Sequence, residues 1–232
     1  MMNILIIVPA YNEEMNIENV INNLKEKFPQ YHYVIVNDGS RDNTSKICHE
    51  HNYNIIDLPV NLGLAGAFKT GMKYAWLNNY DAAIQLDADG QHDPKYIEKM
   101  ATEMEKGYDI VLGSRFKEKK KPISARMIGN RMIACAIKIS TGKKMTDPTA
   151  GMRMYNKKMI KEFANNINYG PEPDTISFLA KQGAKIQEVQ VDMEERAGGE
   201  SYLNLTRSVM YMLRMLISIL FIQNFRKRGI QK

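Results

Sequence analysis

The chain is poor in several residues that would otherwise set its class. Among 232 residues there are two cysteines, Cys48 and Cys135, one tryptophan, four histidines and eight prolines. Two thiols without ligand spacing exclude a disulfide scaffold and a cysteine zinc site, and suit a reducing cytosol. The absence of repeats and low-complexity tracts excludes a solenoid or a long disordered region. No pair of histidines stands at ligand spacing, and His92 reads as packing beside an acidic turn. The uncharged run Met215–Ile222 is far shorter than the ~20 residues that span a bilayer. The opening "MMNILIIVPAYNEE" has an apolar run but neither a basic lead nor a small-residue cleavage site, so it is not expected to be a signal peptide.

What is present is a folding composition, with 44% hydrophobic and 25% charged residues. The length suits one large α/β domain or two small ones. The net charge is +6, and its basic residues cluster in "FKEKKKP" (116–122) and "FRKRGIQK" (225–232). Such clusters serve as solvated loops, as nucleic-acid contacts, or as sites for anionic lipid and phosphate; composition does not choose among them.

Strand-like and helix-like stretches alternate through the first half. "NILIIV" (3–8), "YVIVN" (33–37), "NIIDL" (54–58), "AAIQL" (82–86) and "DIVLG" (109–113) read as strands. Helices are expected from a cap at Asn12 to about Lys27, after Asp42 or Asn43, over 63–79 despite Gly66 and Gly71, and from Asp93–Pro94 to about Lys106. This rhythm predicts a mostly parallel sheet flanked by helices, with ligands beyond the carboxyl ends of the strands. The tips there carry "PAYNE", "DGS", "DADGQ" and "GSR". Later come a helix over 123–140, a strand over 184–193 and an amphipathic C-terminal helix. In the last, Arg207, Tyr211, Arg214 and Ser218 form a narrow polar stripe at i, i+4, i+7 and i+11.

Asp87 and Asp89 stand one residue apart at the end of an apolar strand, with Gln91 two further on. Two carboxylates aimed into one pocket repel each other unless a positive partner is present. A hard divalent cation, Mg2+ or Mn2+, is the natural one, because it takes few protein carboxylates and completes its shell with water and phosphate oxygens.

The ordered set "VPAYNE" (8–13), "VNDGSRDNT" (36–44), "NLGLAGAFKTG" (61–71), "QLDADGQHDP" (85–94) and "GSRF" (113–116) resembles the family 2 glycosyltransferases of GT-A, Rossmann-like fold. "DPTAGMR" (147–153) and "RAGGES" (196–201) bring it nearest the dolichyl- and polyprenyl-phosphate sugar transferases. The resemblance covers roughly residues 3–195. It implies a catalytic domain over 1–198 and a basic C-terminal helix over 199–232 for membrane, partner or oligomer contact. It further implies an inverting, metal-dependent enzyme that takes a sugar from a nucleotide, UDP by preference, at the cytoplasmic face of the membrane. The acceptor so implied is polyprenyl phosphate, with a saccharide hydroxyl in capsule or cell-wall assembly as the alternative. A small membrane protein or a second copy are the implied partners; nucleic acid is not.

Residue by residue, the resemblance places Pro9, Tyr11 and Glu13 against base and ribose and Asp38 on the base ring. Asp87, Asp89 and Gln91 fall on the metal, Arg115 and Arg196 on phosphate, and Asp174 on the base position of hydroxyl-acceptor enzymes. Arg126 and Arg131 are weaker phosphate candidates. Where dolichyl-phosphate mannosyltransferases commonly follow the Arg–Gly–Ser stretch with lysine, this chain has Tyr202, one phosphate cation fewer. Asp89→Asn is expected to abolish sugar transfer while leaving the circular dichroism spectrum and melting temperature near wild type.

Overall fold

A computed structural model describes residues 2–193 and 205–226. The parallel half of the sheet comes from β1 (Ile4–Ala10), β2 (His32–Asn37), β3 (Ile55–Asp57) and β4 (Ala82–Gln85), each followed by a helix. Those helices are α1 (Ile17–Lys27), α2 (Thr44–Glu50), α3 (Gly63–Leu77) and α4 (Ile97–Glu105). Then follow β5 (Ile110–Ser114), α5 (Ala125–Thr141), β6 (Arg153–Asn156), α6 (Lys157–Asn165), α7 (Pro173–Lys181), β7 (Ile186–Gln190) and α8 (Leu205–Leu220). The sheet order is β3-β2-β1-β4-β6-β5-β7, with β6 antiparallel to both neighbours and every other pairing parallel. Strands buried on both faces explain the continuous apolar runs that β1 and β4 show in sequence.

Two layers of side chains sandwich the sheet. One holds Phe68, Tyr155 and Phe163 in mutual edge contact, together with Leu5, Ile7 and Met72. The other packs Ile17, Ile21 and Leu24 of α1 and Ile97 and Met100 of α4 against Ile6, Ile84 and Val111. Met215 and Ile219 of α8 belong to the first layer, so the C-terminal helix is docked on the same core as the sheet. The expected boundary at 198/199 lies outside the described residues. Both cysteines are free thiols.

One expectation needs correction. Asn12 does not cap the first helix; it sits at φ +56° and α1 begins only at Ile17. The intervening residues are used to zip two loops together. The N–H groups of Asn12, Glu13 and Glu14 donate to Ser40, Thr44 and Asp42 side chains, and Arg41 N–H donates to Asn12 Oδ1. The start signal at Asp93–Pro94 holds: Asp93 accepts from Lys95 N–H, and a 3-10 turn, Pro94–Tyr96, leads into α4, which is capped at Lys106. The strand β6 was invisible because it carries Arg153, which is buried at 3% exposure in the middle of the sheet. Its guanidinium is satisfied by the carbonyls of Pro148, Ala150 and Pro171.

The stripe on α8 turns inward. Tyr211 donates to Glu172 and Ser218 to Asp174, both at the start of α7. The outer face instead carries Val209, Met210, Leu213 and Ile217. Arg214 is exposed, and the Arg207 side chain lies outside what is described.

Gly71, which weakened the helical reading of 63–79, is required by packing. A Cβ there would stand 2.3 Å from Ile7 Cγ2. Gly71→Ala gains about 1 kcal/mol of helix propensity but costs about 1–3 kcal/mol by overpacking a closed core. A net fall in denaturation midpoint is expected in urea unfolding; an unchanged or raised midpoint would contradict this packing.

Candidate active site

The polar tips meet along one edge of the sheet, as the strand rhythm predicts. In register, Ala10 pairs with Asn37, Ile7 with Gln85, and both Gln85 and Leu112 face Arg153. The tips of β2, β1, β4 and β5 therefore span four strand spacings, roughly 19 Å at about 4.8 Å each. Pro9 is half-buried within β1, Tyr11 is exposed just beyond it, and Glu13 turns back to accept from Asn16 Nδ2. Asp38 is 4% exposed, and its Oδ1 accepts from Leu62 N–H at 2.7 Å. Gly39 beside it has φ +66°, and a Cβ there would meet Asn61 N at 2.8 Å, so the turn needs glycine.

At the β4 tip, Asp87 and Asp89 line a cavity of about 240 Å3 with Asn16, Asn19, Gly90 and His92. Gln85 Nε2 donates to Asp87 Oδ1 at 2.8 Å, and Asp87 N–H donates to His92 Nδ1 at 3.1 Å. Asp89 Oδ1 accepts from Gln91 N–H at 3.1 Å, which folds the turn on itself. Among the described residues no group of three His, Cys, Asp or Glu side chains could hold a cation alone. Two half-exposed carboxylates and an amide nonetheless fit a hard ion whose remaining ligands are water and phosphate.

The β5 tip carries a second acidic centre, of opposite character. Asp147 is fully buried and grips Arg115: Nε at 2.6 Å, Nη2 at 2.8 Å and the backbone N–H at 3.2 Å. Asn130 Nδ2 donates to the same carboxylate at 2.8 Å. Burial pushes the Asp147 carboxyl up, but the Arg115 and Asn130 contacts outweigh it and hold it below the usual range. Behind it, Glu188 accepts from the N–H groups of Thr146 and Asp147 at 2.8–2.9 Å. Lys121 Nζ donates to Asn130 Oδ1 at 2.5 Å, and Arg131 Nη2 to the Lys121 carbonyl at 3.0 Å. Arg126 is exposed on the first turn of α5.

Two of the expected site residues are engaged within the fold. The planar fork of Arg115 is paired with Asp147, and Lys121 and Arg131 lie close by. Asp174, which the resemblance places at the base position, is 6% exposed, accepts from Ser218, and is paired with Arg226 at 2.5 Å. A carboxylate so enclosed is an anchor for α8. Arg196 lies outside the described residues, although Met193, three positions before it, bridges to the backbone of His92. Sequence reasoning missed Asp147's partners Asn130 and Glu188, whose spacing carries no motif, and the support that Gln85 gives Asp87.

A family model, "Glycosyl transferase family 2", matches residues 5–163. The chain belongs to glycosyl transferase family 2. The family 2 chain is 33% identical over 213 residues to UDP-N-acetylglucosamine–dolichyl-phosphate N-acetylglucosaminyltransferase of Methanococcus voltae, covering 81% of this chain and 84% of that protein. It is 28% identical over 216 residues to undecaprenyl-phosphate mannosyltransferase of Micrococcus luteus, covering 88% of each. Its fold is similar to glucosyl-3-phosphoglycerate synthase of Mycobacterium tuberculosis in complex with Mn2+, UDP and phosphoglyceric acid, at a TM-score of 0.69 and 16% identity. That match covers 99% of this chain and 81% of the synthase. The glycosyltransferase therefore has the GT-A fold.

Asp147→Asn, which leaves Arg115 buried without its counter-charge, is expected to lower stability by about 3–5 kcal/mol at pH 7. Because the folded pKa is depressed, this contribution is whole above the unfolded carboxyl pKa, about 3.9. It is lost as pH falls below that through the folded value. Denaturant unfolding of the two proteins from pH 7 to pH 2.5 should show the gap closing only below about pH 4.

Proposed function

We propose that this family 2 enzyme transfers a hexose or N-acetylhexosamine, with inversion, from a UDP-sugar to a polyprenyl phosphate at the cytoplasmic membrane face. The carrying observation is the division of labour among its carboxylates. Asp87 and Asp89 remain half-exposed at the cavity, whereas the nominated base Asp174 is locked to Ser218 and Arg226. A sugar hydroxyl must lose its proton as it attacks and so needs a positioned base. A lipid phosphate is already ionised and needs only cations to hold it. Similarity to proteins named for dolichyl phosphate and undecaprenyl phosphate supports the same acceptor.

The proposed roles draw on the resemblance and on where the side chains stand. Pro9, Tyr11, Glu13 and Asp38 edge the nucleotide pocket, with the Asp38 carboxylate held by Leu62 N–H. Asp87, Asp89 and Gln91 would hold Mg2+ or Mn2+, in keeping with the Mn2+ named in solved relatives of this fold. When bound, such an ion offsets negative charge growing on the departing diphosphate. Lys121, Arg131, Arg126 and Arg196 supply cations for the phosphates, and Arg115, braced by Asp147, orders the β5 tip between them.

The membrane reading rests on surface chemistry. No helix among the described residues is long and apolar enough to cross a bilayer. On α5, Ile128, Met132 and Ile139 are exposed at helical spacing, and α5 packs against α8, which has an apolar outer face of its own. Ile123 is 92% exposed next to the basic loop 117–121. Apolar side chains flanked by lysine and arginine suit the interface of an anionic leaflet. A small membrane protein or a second copy could cover the same face.

The test supplies purified protein with radiolabelled UDP-sugars, MnCl2 and undecaprenyl phosphate in anionic vesicles. Label is expected in an organic-extractable, mild-acid-labile lipid, and chelation by EDTA should stop it. Label confined to water-soluble saccharide would replace the lipid acceptor with a hydroxyl one.

A further inference from the structure

Two buried side chains beside Asp87 each spend one polar atom on it and leave the other unmatched. Gln85 is 3% exposed; its Nε2 donates to Asp87 Oδ1, while its Oε1 has no partner among the described residues. The His92 side chain is 1% exposed; its Nδ1 accepts the Asp87 N–H, which places the ring proton of the neutral form on Nε2. That Nε2 is likewise buried without a partner among the described residues. Orphaned buried polar atoms cost stability, and an apolar side chain of similar shape would fill either space without that cost. What the two residues have in common is Asp87.

We propose that Gln85 and His92 are positioning residues that clamp Asp87 from two sides, a role that rests on the metal reading above. Gln85 fixes Oδ1 and His92 fixes the main chain, so Oδ2 is the oxygen outside the clamp on a side chain 39% exposed. Gly151 closes the arrangement from the neighbouring loop. A Cβ there would stand 3.0 Å from Asp87 Oδ2 and 2.8 Å from His92 Cε1, so only glycine lets that loop approach. Both clamp residues come from the same short stretch as the acidic pair: Gln85 ends β4, and His92 closes the turn by pairing its backbone with Met193. The turn thereby arrives at the cation already shaped, and binding does not have to order it.

The experiment titrates Mn2+ alone into wild type, Gln85→Met, His92→Phe and Asp89→Asn, following the free-ion EPR signal, and records metal-free melting curves of each. Wild type should show a site that Asp89→Asn removes. Gln85→Met and His92→Phe should raise the Mn2+ Kd about 10–100-fold. Metal-free Gln85→Met should melt at or above the wild-type temperature, because it removes an orphaned acceptor and leaves Asp87 accessible to water. Unchanged Kd values in both variants overturn the clamp. So does a Kd that rises only together with a lowered melting temperature in Gln85→Met, which would mark Gln85 as packing. A wild type with no Asp89-dependent Mn2+ site defeats the metal reading itself, and the clamp with it.

Discussion

A guanidinium cannot be buried within a sheet unless its donors are met, and three backbone carbonyls meet Arg153. Pro148, Ala150 and Pro171 converge on it, so the loop after Asp147 and the segment before α7 are both tied to β6. Among the described strands β6 is the one antiparallel to its neighbours, and it separates the tip bearing Asp87 from the tip bearing Arg115. Arg153 also holds the Pro148 and Ala150 carbonyls just before Gly151, where the chain passes close to His92 and Asp87. One buried cation thus ties together the segments that lie between the two tips.

The carboxylates along that edge fall into two groups with different physics. Asp147, Asp174 and Glu188 are compensated by arginine, hydroxyl or backbone N–H donors and act as struts. Asp87 and Asp89 keep partial exposure and sit at a cavity. Desolvation without compensation would push a carboxyl toward its neutral form, so a fully buried one must be paired, whereas a partly exposed one keeps water as a partner. Carboxylates along one edge thus differ in character according to what surrounds them.

The parallel half of the fold was legible because strands buried on both faces write themselves as uninterrupted Ile, Val and Leu. The position of the acidic turn was legible because the apolar run that becomes β4 leads directly into Asp87 and Asp89. β6 was not, since it opens on an arginine that reads as a surface residue until the carbonyls that satisfy it are known. Nor was the start of α1: Asn12 has the chemistry of a helix cap, but its side chain was claimed by Arg41 N–H from a loop 29 residues away. The enclosure of Asp174 depended on Arg226, 52 residues later, a separation at which no local pattern operates. Short-range periodicity shows in the sequence; long-range satisfaction of polar groups does not.

The inward stripe of α8 has a mechanical consequence. With Tyr211 hooked to Glu172 and Ser218 to Asp174, the helix cannot roll about its axis to tuck its greasy side away. Free amphipathic peptides gain that side only on folding at a surface and surrender entropy to do so. Here the facing is chosen by contacts inside the fold, so the row of Val209, Met210, Leu213 and Ile217 is turned outward without a further folding step.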